Sequence, residues 1–302
     1  MKGKLTMNKT LKIAFLGGDR RQHTAAVKLA GGTYDIYTFG VLGEDGTLTV
    51  CNSLMDALAD AYAVVLPLPV SSDGIELNMR SETVQKLLLS ELADAIEPSS
   101  IVIGGKLPPA FCDRLLLKKI KYFDYFESEA FQIKNAYTTA EAALSIAMEK
   151  LDKTVRGASF AITGYGRIAK QLAELLVCLG GKVTVCARKE SDLAWAELEG
   201  CKTLKISADD KESIEPLLFG YDVIFNTVPA WIFDSDALEK IDKRTLLIEL
   251  ASTPGGFDVL AAKRLHSNVL WAASLPGKYA PESAGELICD CVRSILKSEV
   301  SV

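Results

Sequence analysis

The stretch from Ala158 to Gly181, ASFAITGYGRIAKQLAELLVCLGG, limits what this chain can fold into more than any other. An apolar, strand-like run over Ser159 to Thr163 stops at Gly164-Tyr165-Gly166, and a helix-patterned run begins at once. With Ala169 in the third small position, this is the strand–turn–helix opening of a dinucleotide-binding unit. Each small residue has a physical task. Gly164 makes the tight turn, Gly166 lets the backbone approach a pyrophosphate, and Ala169 lets the helix lie close to its strand. The helix start at Arg167 and Ile168 offers N–H groups and a positive dipole end to the phosphates.

The second half of the unit bears on which dinucleotide. Lys182 to Ala187 reads as the next strand and ends on Arg188-Lys189. An NAD site places an acidic residue about 20 residues beyond the glycines to accept the ribose 2′-OH, whereas an Arg there suits a 2′-phosphate. Arg188 and Lys189, with Ser191 as a further donor, therefore favour NADP(H). Glu190 and Asp192 follow closely and leave NAD(H) open.

The rest of this half completes a parallel sheet. Lys202 to Ile206, Asp222 to Asn226, Thr245 to Leu250 and Asn268 to Ala272 read as strands three to six, separated by helical stretches or loops. Ligands in open α/β sheets lie outside the carboxyl ends of the strands. The loops there are Asn226-Thr227-Val228-Pro229, Ala251-Ser252 through Gly256, and Ser274 to Lys278. The first two join the glycine turn as the expected cofactor site.

The N-terminal half repeats the rhythm without the fingerprint. Leu11 to Leu16, Tyr34 to Phe39, Ala63 to Leu66, Ile101 to Gly104 and Lys121 to Phe123 read as strands. Helical patterns fall at Arg21 to Ala30, Ser81 to Ile96 and Pro109 to Lys118. The expected class is α/β: two Rossmann-like domains with parallel sheets, the first flavodoxin- or Rossmann-like, the second a complete dinucleotide-binding fold. Gly17-Gly18 followed by Asp-Arg-Arg is not GxGxxG, so no second nucleotide is assigned there. Arg20 and Arg21, at a strand–helix turn, are candidates to hold carboxylates. Thr138 to Leu151 reads as a connecting helix, with Thr138 and Glu141 at capping-box spacing. A last helix, Pro281 to Lys297, is expected to return to the first domain and leave the active site between domains. The division becomes 1–138 with 282–302, and 139–281.

Composition excludes several classes. A chain of 302 residues with 49% hydrophobic residues has ample material for two cores. No apolar run approaches the roughly 18 residues of a membrane span. A net charge of −5 leaves no footprint for nucleic acid or an anionic membrane. The seven cysteines are scattered, without the paired CxxC spacing of a zinc site, and read as reduced thiols of a cytoplasmic protein. No metal site is expected.

The chain resembles the A subunits of dipicolinate synthase from spore-forming bacteria. The likeness rests on Leu16-Gly-Gly-Asp-Arg-Arg-Gln22, Gly164-Tyr-Gly-Arg-Ile-Ala169, Ile248-Glu-Leu-Ala-Ser-Thr-Pro-Gly-Gly-Phe-Asp258, Leu275-Pro-Gly-Lys-Tyr-Ala-Pro281 and Ser283-Ala-Gly-Glu286. The glycine fingerprint is common to many dehydrogenases; the two late motifs together are far more specific. The resemblance implies oxidation of dihydrodipicolinate to pyridine-2,6-dicarboxylate with NADP during sporulation, in the mother-cell cytoplasm. It also implies a partner, the flavoprotein-like B subunit of dipicolinate synthase; oligomeric state, a homo-oligomer included, stays open. The two-domain plan is more distantly similar to 2-hydroxyacid dehydrogenases, but their His/Glu pairing is not evident, since His23 and His266 are the only histidines.

Oxidising a dihydropyridine yields an aromatic ring, so a protein doing this mainly has to orient the donor carbon. A small dicarboxylate calls for charge-assisted anchors. Arg20, Arg21 and Lys278 are the candidates, followed by Lys106, with Asn226 and Ser252 as neutral donors. Lys278 is also the one candidate for moving the proton, and no general base can be named. Two other readings stay open: an NADP dehydrogenase of a hydroxy or amino acid, and a cofactor-holding regulatory subunit whose chemistry lies on its partner.

Overall fold

The computed structural model describes residues 10–43, 45–79, 86–207 and 209–300. Two compact units divide the chain: one holds the residues up to Lys134 and those from Ala280 onward, the other Asn135–Tyr279.

In the first unit the strands are β1 (Leu11–Leu16), β2 (Tyr34–Phe39), β3 (Thr49–Val50), β4 (Ala63–Val65), β5 (Ile101–Gly104) and β6 (Lys121–Asp124). All pair in parallel, in the order β3-β2-β1-β4-β5-β6. Its helices are α1 (Arg20–Leu29), α2 (Leu54–Leu58), α3 (Leu89–Ala95) and α4 (Pro109–Leu117), and α5 (Glu129–Lys150) leads out of it. The second unit contains β7 (Ser159–Thr163), α6 (Arg167–Cys178), β8 (Lys182–Ala187), α7 (Glu190–Leu198), β9 (Lys202–Lys205) and α8 (Lys211–Ile214). There follow β10 (Val223–Asn226), α9 (Ser235–Lys240), β11 (Leu246–Glu249), α10 (Val259–Arg264), β12 (Val269–Trp271) and α11 (Leu275–Tyr279). Its strand order, β12-β11-β10-β7-β8-β9, is the same topology.

Both sheets therefore run outward in two directions from a switch point, β1/β4 in one and β7/β10 in the other. This is the Rossmann order, not the 2-1-3-4-5 order of flavodoxin. The two-residue β3, too short and exposed for a hydrophobic pattern, completes the first sheet.

Burial on both faces explains the near-continuous apolar strands. Along β7, Phe160 and Ile162 enter one core with Val183, Val185 and Phe225. Ala161 between them faces the opposite core, with Cys186, Ile224 and Leu247. The last helix, α12 (Pro281–Val300), packs on the first unit, where Ile288, Cys289, Val292 and Leu296 join a core with Ile13, Phe15 and Ala25. Close approach to α1 requires Gly285: a Cβ there would lie 2.5 Å from the Thr24 Cβ and 2.7 Å from the Arg21 carbonyl.

Three expectations change. The connecting helix starts at Glu129, so Thr138 is buried mid-helix and caps nothing. The N-terminal signal lies at Ser128, whose carbonyl accepts the Gln132 N–H at 3.0 Å, while Thr139 bonds back to the Asn135 carbonyl as a helical threonine does. Of the helix expected from Ser81 to Ile96, residues 81–85 lie outside the described residues. The helix proper begins at Leu89, because Leu77 N–H donates to Leu87 O at 2.9 Å and Leu89 N–H to Ile75 O at 2.8 Å, closing a loop. Finally, Leu275 to Lys278 lies in the short helix α11 rather than in a loop.

Candidate functional site

The glycine turn separates its two glycines by task. Gly164 has φ +84°, a left-handed conformation that disfavours a side chain, and a Cβ there would lie 2.7 Å from Thr227 Oγ1 and 2.8 Å from Val228 Cγ2. Gly166 has extended backbone (φ −82°, ψ −168°) at the N-cap of α6, and a Cβ on it would meet nothing within 4 Å. Open space in front of Gly166 is what a pyrophosphate needs. The helix start has no side-chain cap and no acidic residue in its first turn, which suits the dipole end to an anion. Ala169 is fully buried in the core, as close packing of α6 on its sheet demands. Tyr165, between the glycines, points the other way: its hydroxyl donates to the Glu199 carboxylate. Burial, with that bond, pushes the phenol's pKa up.

The matching turn in the first unit is filled. Gly18 N–H donates to Asn78 O at 2.8 Å, and a Cβ on Gly17 would stand 2.7 Å from the same carbonyl. Asp19 caps α1, accepting from Arg21 N–H at 3.0 Å. The Gly18 donor is used and a carboxylate occupies the helix end, so the described residues of this turn form no open cradle like that at Gly166.

At the end of β8, Arg188 and Lys189 are exposed. The nearest acid is drawn aside: Glu190 pairs with Lys205, at the end of the neighbouring strand β9, at 2.5 Å. That hydrogen bond and charge lower the Glu190 pKa. That pairing leaves Arg188 and Lys189 as exposed cations at the strand end, with Asp192 in the first turn of the helix that follows. Nothing local in the sequence marks Lys205, since its partner lies in a helix fifteen positions away.

The loops after β10 and β11 are organised by side chains that face inward. Thr163, Asn226 and Glu249 sit side by side at the ends of β7, β10 and β11, in direct register and fully buried. Thr163 Oγ1 donates to Asn226 Oδ1 at 2.5 Å, and Asn226 Nδ2 donates to Glu249 Oε1 at 2.7 Å and Val228 O at 2.9 Å. Val228 N–H returns to Asn226 Oδ1 at 3.2 Å. Every donor and acceptor of the Asn226 amide is occupied. Asn226, expected among the cofactor-binding residues, offers its side chain to the protein alone. Thr227 likewise turns its hydroxyl to Thr163 O, at 2.7 Å. Val228 packs against Gly164, while Pro229 and Ser252 are exposed and Ala251 half-buried. Glu249 was missed as an individual residue; a charge ending the apolar run Leu246–Glu249 was its signal.

The candidate anchors also separate. The Arg21 side chain is nine-tenths buried, its guanidinium paired with Asp19 at 2.9 Å and donating to Leu68 O at 2.5 Å. Asp19 neutralises it, so Arg21 holds the β1–α1 turn against the segment after β4 instead of presenting a free cation. Arg20 is exposed and makes no ion pair among the described residues. Lys278 is exposed on α11. Lys106 sits at φ +56° with Nζ 4.5 Å from the Phe126 ring centroid. Among the described residues no cluster of three or more His, Cys, Asp or Glu could hold a metal ion. No helix there is long and apolar enough to cross a membrane.

Comparison with known proteins agrees with this arrangement. Residues 12–126 match the family described as the N-terminal domain of the dipicolinate synthase A subunit. The A subunit of dipicolinate synthase from Bacillus subtilis (strain 168) is 28% identical over 292 residues, covering 95% of this chain and 96% of that protein. Over nearly its whole length, this chain is similar to the dipicolinate synthase A subunit. The crystal structure of the same subunit from Bacillus halodurans superposes with a TM-score of 0.84 at 25% identity, covering 96% of this chain and 99% of that one. A transhydrogenase from Sinorhizobium meliloti shares the fold at 13% identity and a TM-score of 0.67, covering 95% and 94%. The dehydrogenase-like fold and the resemblance to the dipicolinate synthase A subunit thus stand.

Proposed function

We propose that this protein oxidises dihydrodipicolinate to pyridine-2,6-dicarboxylate with NADP, as one subunit of a two-subunit synthase working in the cytoplasm during sporulation. The observation that carries the reading is the open cradle at Gly166 beside the exposed Arg188-Lys189 pair, on a chain similar to the dipicolinate synthase A subunit over nearly its whole length. The relative's name, which makes it one subunit of a synthase, supports a partner for this chain.

Gly164, Gly166 and the first residues of α6, Arg167 and Ile168, would hold the pyrophosphate. Arg188 and Lys189 would hold the 2′-phosphate, and Thr227–Pro229 with Ala251-Ser252 the nicotinamide end. When bound, NADP supplies the hydride acceptor. The protein's own work is positioning and charge. Exposed Arg20 and Lys278 are the proposed partners of the carboxylates; Arg21, neutralised by Asp19, supports the turn that carries Arg20. Aromatisation releases one hydride and one proton, and Lys278 is the candidate to pass the proton to solvent. Because the product ring is aromatic, correct orientation does most of what catalysis requires.

The deciding assay incubates the purified chain with NADP and dihydrodipicolinate, with and without its partner, following NADPH and the pyridine ring by absorbance. Stoichiometric appearance of both supports the proposal. Reduction of NADP by a hydroxy or amino acid without pyridine formation, or pyridine formation on the partner alone, would overturn it.

A further inference from the structure

We infer that Glu249 is a positioning residue: its buried carboxylate ties the loops after β10 and β11 into their cofactor-ready shape before any cofactor arrives. The inference rests on the proposed cofactor site and adds how that site is made rigid. Glu249 is completely buried and pairs with no cation among the described residues. Four donors hold its charge. Oε1 accepts Asn226 Nδ2 at 2.7 Å and Ala251 N–H at 2.9 Å; Oε2 accepts Gly256 N–H at 2.7 Å and Phe257 N–H at 3.3 Å. Three of these are backbone groups from the two ends of one loop, so a single side chain closes residues 251–257 on themselves. Through Asn226 the same carboxylate reaches Val228, and through Thr163 the strand that feeds the glycine turn.

A buried charge without a counter-ion is costly, and apolar residues fill a strand end at less expense. The surroundings are nevertheless shaped to admit it. A Cβ on Gly256 would stand 2.4 Å from Asn226 Nδ2, and one on Gly255 2.9 Å from Glu249 Oε2 and 2.6 Å from the Trp271 ring. The glycine pair thus makes room for the carboxylate network rather than for a ligand. Loops left free in the empty protein would have to be ordered when the cofactor binds, at the expense of affinity.

Two measurements test this. Amide hydrogen exchange on the cofactor-free chain should show Ala251, Gly256 and Phe257 N–H protected like the sheet, and saturating NADPH should change them little. In Glu249→Gln, whose amide turns N–H groups toward N–H donors, those three should exchange fast without NADPH and slowly with it. Its Kd for NADPH should rise about ten- to a hundredfold, while turnover at saturating cofactor stays within about twofold, because bound cofactor restores the order. A role confined to stability would lower the melting temperature and leave the Kd of the folded fraction unchanged; that result overturns the inference. So does fast exchange of these N–H groups in the unmodified chain, which decides the matter even where the variant does not fold. Absence of NADPH binding by the unmodified chain would sink the proposed cofactor site instead, and its exchange rates would still judge Glu249.

Discussion

The glycine turn makes its sharpest prediction when its two glycines are replaced separately. Gly164→Ala forces a Cβ into a left-handed position, at about 1–2 kcal/mol. It also drives that atom against Thr227 Oγ1 and Val228 Cγ2, both under 3.0 Å away, and such overpacking adds typically about 1–3 kcal/mol. The sum, about 2–5 kcal/mol, lowers the melting temperature of a unit this size by roughly 4–20 °C. Gly166→Val meets open space and extended backbone, so only the N-cap preference for glycine is lost, on the order of 1 kcal/mol. Its branched side chain stands where the pyrophosphate would approach. In differential scanning calorimetry NADPH at about a hundred times its Kd should stabilise the unmodified chain by about 2.7 kcal/mol, or roughly 5–11 °C. Gly166→Val should melt close to the unmodified chain and gain nothing from NADPH. A variant that keeps the full NADPH-induced gain would refute the assignment, because a cradle at Gly166 cannot tolerate a valine.

Other changes separate other roles. Arg188→Ala should weaken NADP(H) binding by about ten- to a hundredfold, from a charged hydrogen bond of about 1.5–3 kcal/mol, and leave NAD(H) nearly unchanged by fluorescence titration. Arg21→Ala strands the partly buried Asp19 carboxylate and should cost about 3 kcal/mol on thermal melting. By contrast, Arg20→Ala and Lys278→Ala should leave the melting temperature alone and lower kcat/KM for the acid substrate. Cys186 is buried, which pushes its thiol pKa from 9.0 up to about 12. A raised pKa gives stability that is present below pH 9 and lost as pH rises toward 12. At pH 10.5 the unfolded thiol has ionised and the folded one has not, a loss of about 2 kcal/mol. Melting temperatures from pH 8 to 10.5 should therefore fall less steeply in Cys186→Ala.

Much of the second unit was legible because its signals are local. The apolar run, two glycines and small third residue of 158–181 specify strand, turn and helix within one segment, and Arg188 falls where the next strand must end. The start of helix α5 is hidden in the sequence because it depends on Ser128, while Thr138 and Glu141 imitate a cap at the right spacing inside the helix. Pairings across strands were the least legible. Arg20 and Arg21 are adjacent and alike in sequence, and only the Leu68 carbonyl and Asp19 distinguish them. Asn226 read as a loop donor because its partner Glu249 is twenty-three residues away, brought alongside only by sheet register.

Helix α12 has a consequence for how the chain folds as it is made. The unit Asn135–Tyr279 is contiguous, and every residue of its sheet has been synthesised before Ala280. The first unit, begun earlier, still lacks α12, whose Ile288, Cys289, Val292 and Leu296 cover Ile13, Phe15 and Ala25. The segment made first therefore keeps an apolar face open to solvent, and to chaperones, until α12 has been made, so the usual N-terminal-first order leaves the first unit unfinished.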